Sequence, residues 1–526
     1  MNLADSKALA QTVGTNPATG QALGALVNTP IEQMPAIFES ARQAQAVWGE
    51  LSFRQRARHI RKMREYIVNN VDRLAEIVSQ GSGKTFMDAL TTEVLPCTLA
   101  CNWYGKNAAK VLKPQRREAS SIIWIGKRSL VTHEPLGVVA IISPWNYPLS
   151  IPFGEIVMGL MAGNAILLKV AAATPMVGKA IEEIVAAGEL PQGLFHHIVG
   201  PGADISTAFF NQGVDKIFFT GSVPAGKDLM AQAAKTLTPL SLELGGKDPM
   251  IVLEDADLER AAGGAAWAGF QNSGQSCAGV ERIYVQASVY DRFVQLLADK
   301  TRALRQGVPS AHCNVDVGAM TTAKQRRLVE RHVEEAVANG AKIEAQAQLQ
   351  NGLQGEFFPA TVLTNVNHTM AVMREETFGP VLPVMKFNTL DEAVALANDC
   401  TMALSASIWT RDTAKGKALA KRVRGGVVVI NDHLYTHGMS DLPWGGPGES
   451  GIGRTHGPEG LIEMSRLKAI NWDLLRARRN LWWYPQDRAT YNVLKQAIRL
   501  GSPRNIGEFL LSALRVVPYM VKRMYF

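Results

Sequence analysis

A chain of 526 residues exceeds what one hydrophobic core usually organises, so two or more domains are expected. Its 47% apolar and 19% charged residues exclude disordered, collagen-like and low-complexity classes, and five cysteines are too few for a disulfide scaffold. The net charge of +8 is confined to one end: residues 475–526 carry ten Lys/Arg against two Asp/Glu, and the remainder carries 45 of each sign, so the main body lacks the footprint of a nucleic-acid binder. No run approaches the roughly 20 apolar residues of a spanning helix, and residues 1–16 lack an apolar signal core, which together point to a cytoplasmic, non-spanning protein.

In chain order, residues 43–80 read as helices. Residues 121–134 alternate and are broken at Gly126-Lys127, as in a hairpin that covers a neighbouring subunit. Short apolar runs at 137–142, 165–170, 195–199, 216–220 and 250–253 read as buried strands, with helices at 153–161 and 176–187 between them. A second series of strands follows at 282–285, 381–387, 406–409 and 426–430. The alternation predicts an α/β fold with two parallel domains. Two glycine-rich segments are set aside as phosphate loops. Gly81-Ser82-Gly83-Lys84-Thr85 has Val78 where the leading glycine belongs and follows a helix, and Gly446-Pro447-Gly448-Glu449-Ser450-Gly451 suits an irregular loop. No paired Cys/His spacing suggests a metal site.

Five further segments occur in a fixed order: Pro144-Trp145-Asn146-Tyr147-Pro148, Phe219-Thr220-Gly221-Ser222, Leu242-Glu243-Leu244-Gly245-Gly246-Lys247, Gly274-Gln275-Ser276-Cys277 and Glu375-Glu376-Thr377-Phe378-Gly379-Pro380. Together they resemble the signature motifs of the aldehyde dehydrogenase superfamily. The resemblance runs from Asn16-Pro17-Ala18-Thr19-Gly20 to Gly451-Ile452-Gly453-Arg454. It implies a coenzyme-binding domain over 1–117 and 134–245, a catalytic domain over 246–449, and a small β oligomerisation element over 118–133 and 465–474. Residues 475–526 remain as a basic amphipathic extension. At least a dimer is expected.

Oxidising an aldehyde to an acid needs a nucleophile, a hydride acceptor and a base that readies water against a thioester. By resemblance, Cys277 is the nucleophile, Asn146 the oxyanion donor and Glu243 the base. Glu243 also favours hydrolysis over transfer to coenzyme A, because acylating relatives generally lack that carboxylate. Cys97, Cys101, Cys313 and Cys400 read as buried core cysteines. For the coenzyme, the resemblance implicates Trp145, Lys169, Gly221, Ser222, Gly226, Leu244, Gly245, Glu376 and Phe378. Where NAD-preferring relatives commonly carry Glu three residues after that Lys, this chain has Ala172, which tilts the expectation from NAD slightly toward NADP. Tyr147, Ile151, Gly154 and Trp444, with Glu155, fall where the aldehyde is expected, and Gly154 suggests a roomy, apolar entrance. A hydrophobic medium-chain, long-chain or aromatic aldehyde is the first expectation and a semialdehyde acid such as succinate semialdehyde the second. A non-catalytic scaffold of the same fold is the alternative of another class.

In the extension, Ile506, Phe509, Leu510, Ala513, Leu514 and Val517 share a helical face, Asn505 and Glu508 are placed as a capping box, and Pro518 is expected to end the helix. The positive charge and Trp482-Trp483 fit either peripheral contact with an anionic membrane or a tail wrapped on its own dimer.

Overall fold

The computed structural model describes residues 10–120, 124, 126–475 and 477–526. They form two compact units, one of the chain up to Val111 with Pro135–Ser465, the other of Leu112–Glu134 with Arg466–Phe526.

Local sequence explains the opening helices of the first unit. Helix Phe53–Asn69 begins at a capping box in which Ser52 and Gln55 satisfy each other's backbone N–H groups, and it buries Arg56, Ile60, Met63 and Ile67 at helical spacing. Beyond it lies a six-stranded sheet in the order Gly451–Ile452, Leu240–Glu243, Lys216–Thr220, Val138–Ile142, Ala165–Lys169, Phe195–His197. All its pairings are parallel except the first. The strands Val138–Ile142, Ala165–Lys169 and Lys216–Thr220 are buried throughout, as expected of strands covered on both faces. Chain order reverses between Val138–Ile142 and Lys216–Thr220, so the crevice beyond their carboxyl ends is a topological switch point, the usual place for a ligand in such sheets.

A second sheet has seven strands in the order Lys342–Gln346, Thr361–Thr364, Val381–Phe387, Arg282–Gln286, Pro249–Val252, Ser405–Trp409, Val427–Ile430, parallel apart from the first pair. Separate apolar clusters pack against it, and one of them contains Cys277 and Trp444. The α/β class is present with two largely parallel sheets, but the run at 250–253, read with the first series, stands in the second sheet as Pro249–Val252, between Arg282–Gln286 and Ser405–Trp409.

The second unit holds a three-stranded sheet, ordered Ser465–Asp473, Lys127–Pro135, Gln115–Arg117, and two helices, Arg488–Gly501 and Ile506–Tyr525. Of the expected hairpin, Lys127–Pro135 is a strand and pairs antiparallel with Gln115–Arg117; residues 121–123 and 125 of that reading lie outside the described residues. Gly126 serves close approach, since a Cβ there would stand 2.6 Å from Leu475 Cδ1. Pro518 does not end its helix, which runs on to Tyr525. The turn beyond the proline is held from outside: Arg479 Nε donates to the Arg523 carbonyl at 2.7 Å, and the Arg523 guanidinium donates to the carbonyls of Leu481 and Trp483 at 2.9 and 2.8 Å. The capping box is half formed, with Asn505 capping Glu508 N–H while the Glu508 carboxylate accepts from Arg504 N–H. Among the described residues no helix is long and apolar enough to cross a membrane.

Candidate active site

Strand register assembles the site. Ile142 lies opposite both Lys169 and Phe219, and Thr220 opposite Glu243, so the four strands end on one edge. The loop after Val138–Ile142 then carries Trp145 and Asn146 over that edge. A cavity of ≈ 600 Å³ opens there, lined by Trp145, Asn146, Lys169, Gly221, Ser222, Glu243, Leu244, Gly245, Cys277, Glu376 and Phe378.

Cys277 reaches the cavity on a strained loop. After helix Leu258–Phe270, Asn272 and Ser273 adopt left-handed φ of 52° and 54°, followed by Gly274 at 70°. Asn tolerates that region, whereas Ser pays a modest strain, and such strain persists only where surroundings over-determine it. The surroundings do so. Asn272 Nδ2 donates to the carbonyls of Asn146 and Gln275 at 2.9 and 3.1 Å, and Gln275 Oε1 accepts from Thr321 N–H at 2.9 Å. A Cβ on Gly274 would lie 2.1 Å from the Gly379 carbonyl oxygen, so only glycine fits.

Asn146 is equally fixed. Its carbonyl accepts from Lys84 Nζ at 2.8 Å, its Nδ2 donates to the Gln275 carbonyl at 3.2 Å, and its buried Oδ1 has no partner among the described residues. Lys84 is fully buried, pairs with Glu93 Oε1 at 2.6 Å and stands 4.2 Å from the Tyr147 ring centroid. Glu93 Oε2 accepts from Leu149 and Ser150 N–H at 3.0 and 2.8 Å, at the start of helix Ser150–Ala162, where a negative charge is favoured. Lys84 and Glu93 escaped the sequence reading. The sequence around Lys84 resembles only an imperfect phosphate loop, and nothing in it shows that the amine turns inward.

Electrostatics prepare the pair of reacting groups. Burial pushes the Glu243 carboxyl up to about 7, opposed by a hydrogen bond from Trp444 Nε1 to Oε1 at 2.9 Å and by the Cys277 thiol. Burial, followed by the nearby Glu243 carboxylate, raises the Cys277 thiol well above its usual value. A thiol and a carboxyl close enough to perturb each other, both shielded from water, have the chemistry a nucleophile and its base require.

The rest of the cavity suits an anionic, ribose-bearing ligand. Lys169 is buried without a carboxylate partner among the described residues, and burial lowers its ammonium. Helix Val223–Ala233 starts at Ser222 with no side-chain cap, so its first N–H groups remain available to a phosphate. Gly226, in that helix, is not on the cavity wall; it packs against Leu244. Glu376 Oε1 accepts from Gly246 N–H at 3.0 Å, and burial raises its carboxyl to about 8. Trp145 and Phe378 meet edge to face at 5.6 Å. A Cβ on Gly245 would stand 2.4 Å from Glu376 Oε2, so the glycine admits that carboxylate.

The residues expected to wall the aldehyde, Tyr147, Ile151, Gly154 and Trp444, are buried and are not part of this cavity's lining, and the whole of helix Ser150–Ala162 is buried. At Gly154 an added Cβ would find only His456 Nε2 within reach, in ordinary contact at 3.8 Å, and Tyr147, His437, His456 and Trp444 pack as a ring cluster. Glu155 is buried in the same helix, its carboxyl well above the usual range through burial and then Glu243, and its Oε2 has no partner among the described residues. Two cysteines are also corrected. Cys97 and Cys101 are buried, but Cys313 is exposed and Cys400 half-buried, in loops that bury no apolar face. No group of three or more His, Cys, Asp and Glu is placed to hold a metal among the described residues.

Residues 4–470 match the family model of the aldehyde dehydrogenase family. The chain belongs to this family. It is an NAD(P)-dependent aldehyde dehydrogenase. A 4,4'-diapolycopene aldehyde oxidase of Methylomonas sp. is 37% identical over 484 residues, 91% of this chain and 89% of that protein. A putative NADP(+) succinate-semialdehyde dehydrogenase of Mycobacterium ulcerans is 36% identical over 453 residues, 86% of each chain. Betaine aldehyde dehydrogenase from Staphylococcus aureus, solved with NAD+, superposes with a TM-score of 0.84 at 29% identity, over 90% of this enzyme and 94% of that chain.

Proposed function

We propose that the enzyme oxidises a hydrophobic aldehyde to its carboxylic acid through a covalent adduct on Cys277. The observation that carries this reading is that Cys277, Asn146 and Glu243 line one cavity, with the Cys277 thiol hydrogen-bonded to Glu243. Glu243 takes the thiol proton, and the Cys277 sulfur adds to the aldehyde carbon. Asn146 Nδ2 and the Cys277 N–H stabilise the oxygen as it becomes negative; such a donor is worth ~2.7–4 kcal/mol. When bound, the coenzyme supplies the acceptor for the hydride that leaves this adduct. After passing the thiol proton to solvent, Glu243 removes a proton from water as it attacks the Cys277 thioester, and returns that proton to the departing sulfur, which releases the acid and restores the thiol.

Lys169, the start of helix Val223–Ala233 and Glu376 would hold the coenzyme at adenosine ribose, pyrophosphate and nicotinamide ribose respectively. Ala172 favours NADP slightly over NAD, because no carboxylate there opposes a 2′-phosphate.

Support for a hydrophobic substrate is the buried ring cluster beside Cys277 and the likeness to an oxidase of a carotenoid aldehyde. A semialdehyde acid is the second reading, favoured by the mycobacterial relative. Against it, helix Ser150–Ala162 places the buried carboxyl of Glu155 on the expected aldehyde side. Turnover of a long-chain aldehyde against succinate semialdehyde separates the two: a higher kcat/KM for the semialdehyde would overturn the first. The strands Lys127–Pro135 and Ser465–Asp473 are proposed to pair subunits, and a monomer in sedimentation would contradict this. A peripheral contact of residues 475–526 with membrane completes the reading.

A further inference from the structure

The C-terminal helices Arg488–Gly501 and Ile506–Tyr525 form a built hairpin. Ala497, Leu500 and Val516 make its small core, with Val493, Ala513 and Met520 against it. Tyr519 and Thr490 hydroxyls meet at 2.9 Å, and the Arg523 guanidinium, buried, ties the second helix to the 481–485 segment. The packing leaves one stripe outside. Ile506, Leu510, Leu514, Val517 and Val521 recur every three or four residues and are 80, 55, 72, 40 and 49% exposed. Ala513, expected on that face, turns inward. On the preceding helix Ile498 is 72% exposed. A continuous apolar helical stripe on a surface marks an interaction site.

Charge identifies the occupant. Asp487 and Glu508 are the acids of residues 475–526; Asp487 caps the first helix, and the Glu508 carboxylate accepts from Arg504 N–H ahead of the second. Ion pairs of this unit include Lys127–Asp473 and Lys468–Glu134, which leave the two C-terminal helices aside. Lys495, Arg499, Arg504, Arg515 and Lys522 are exposed on the two helices and their connection, with no carboxylate partner among the described residues. Laying this surface on a second copy of itself would set +8 against +8. A bilayer with anionic headgroups instead accepts apolar side chains and cations together.

We propose that the hairpin lies in the interface of an anionic membrane, with Ile506, Leu510, Leu514, Val517 and Val521 in the acyl region and the five cations on lipid phosphates. This rests on the peripheral contact proposed above and adds the face and the lipid charge.

The test sediments the full-length protein with vesicles of phosphatidylcholine alone or mixed with phosphatidylglycerol. Wild type is expected to pellet with the mixed vesicles, to stay in solution with phosphatidylcholine alone, and to be released by salt. L510E/L514E and R499E/R504E should each lower partitioning about tenfold or more, while turnover of a water-soluble aldehyde reports that both fold. Wild type remaining in solution with every vesicle would sink both the peripheral reading and the face. Wild-type binding that L510E/L514E leaves unimpaired would reject the face alone. A smaller sedimenting species for L510E/L514E without vesicles, with no vesicle binding by wild type, would assign the stripe to a second copy and overturn the proposal.

Discussion

Trp444 Nε1 donates to Glu243 Oε1 at 2.9 Å, joining the loop beyond strand Val427–Ile430 to the last residue of strand Leu240–Glu243. The bond favours the carboxylate, burial favours the acid, and their balance leaves Glu243 titrating at about 7. A base serves only when ionised, so turnover should rise with pH through about 7 and fall away below it.

Trp444→Phe removes the donor and keeps the ring. The carboxyl should then move further up, shifting the ascending limb of the pH–kcat profile to the alkaline side and lowering kcat at neutral pH several-fold. An unshifted limb would mean that another group sets the profile.

Asn146→Ala deletes the side-chain donor. A loss of about 10²–10³ in kcat with little change in KM is expected from steady-state kinetics. A change confined to KM would place Asn146 in ground-state binding instead.

Lys84→Met strands Glu93 as a buried, uncompensated carboxylate. Such losses cost about 3–5 kcal/mol, to be read by denaturant unfolding. Because Lys84 also holds the Asn146 carbonyl, kcat should fall as well, by less than in Asn146→Ala.

Ala172→Glu restores a carboxylate beside the expected adenosine ribose. KM for NADP should rise roughly five- to tenfold relative to NAD by like-charge repulsion. Equal KM values before and after would separate position 172 from coenzyme choice.

The parallel strands and the loops carrying Asn146, Glu243 and Cys277 were legible because buried β-runs and ordered motifs are local in sequence. The Lys84–Glu93 pair was not, since burial of a charge depends on a partner and a backbone carbonyl 62 residues away. The aldehyde side is less legible for a related reason: what borders Gly154 in the fold is His456, from a distant loop, which an added Cβ would meet at 3.8 Å. Pro518 misled because a proline ends a helix only when nothing else holds the next turn, and Arg523 and Arg479 hold it here.

The account turns on covalent chemistry at Cys277. Reduced-coenzyme formation by wild type and Cys277→Ala, with a long-chain aldehyde and with NAD and NADP separately, tests it most directly. Turnover should vanish in the variant while coenzyme still binds, seen as quenching of protein fluorescence. A Cys277→Ala enzyme that keeps oxidising the aldehyde would contradict the mechanism.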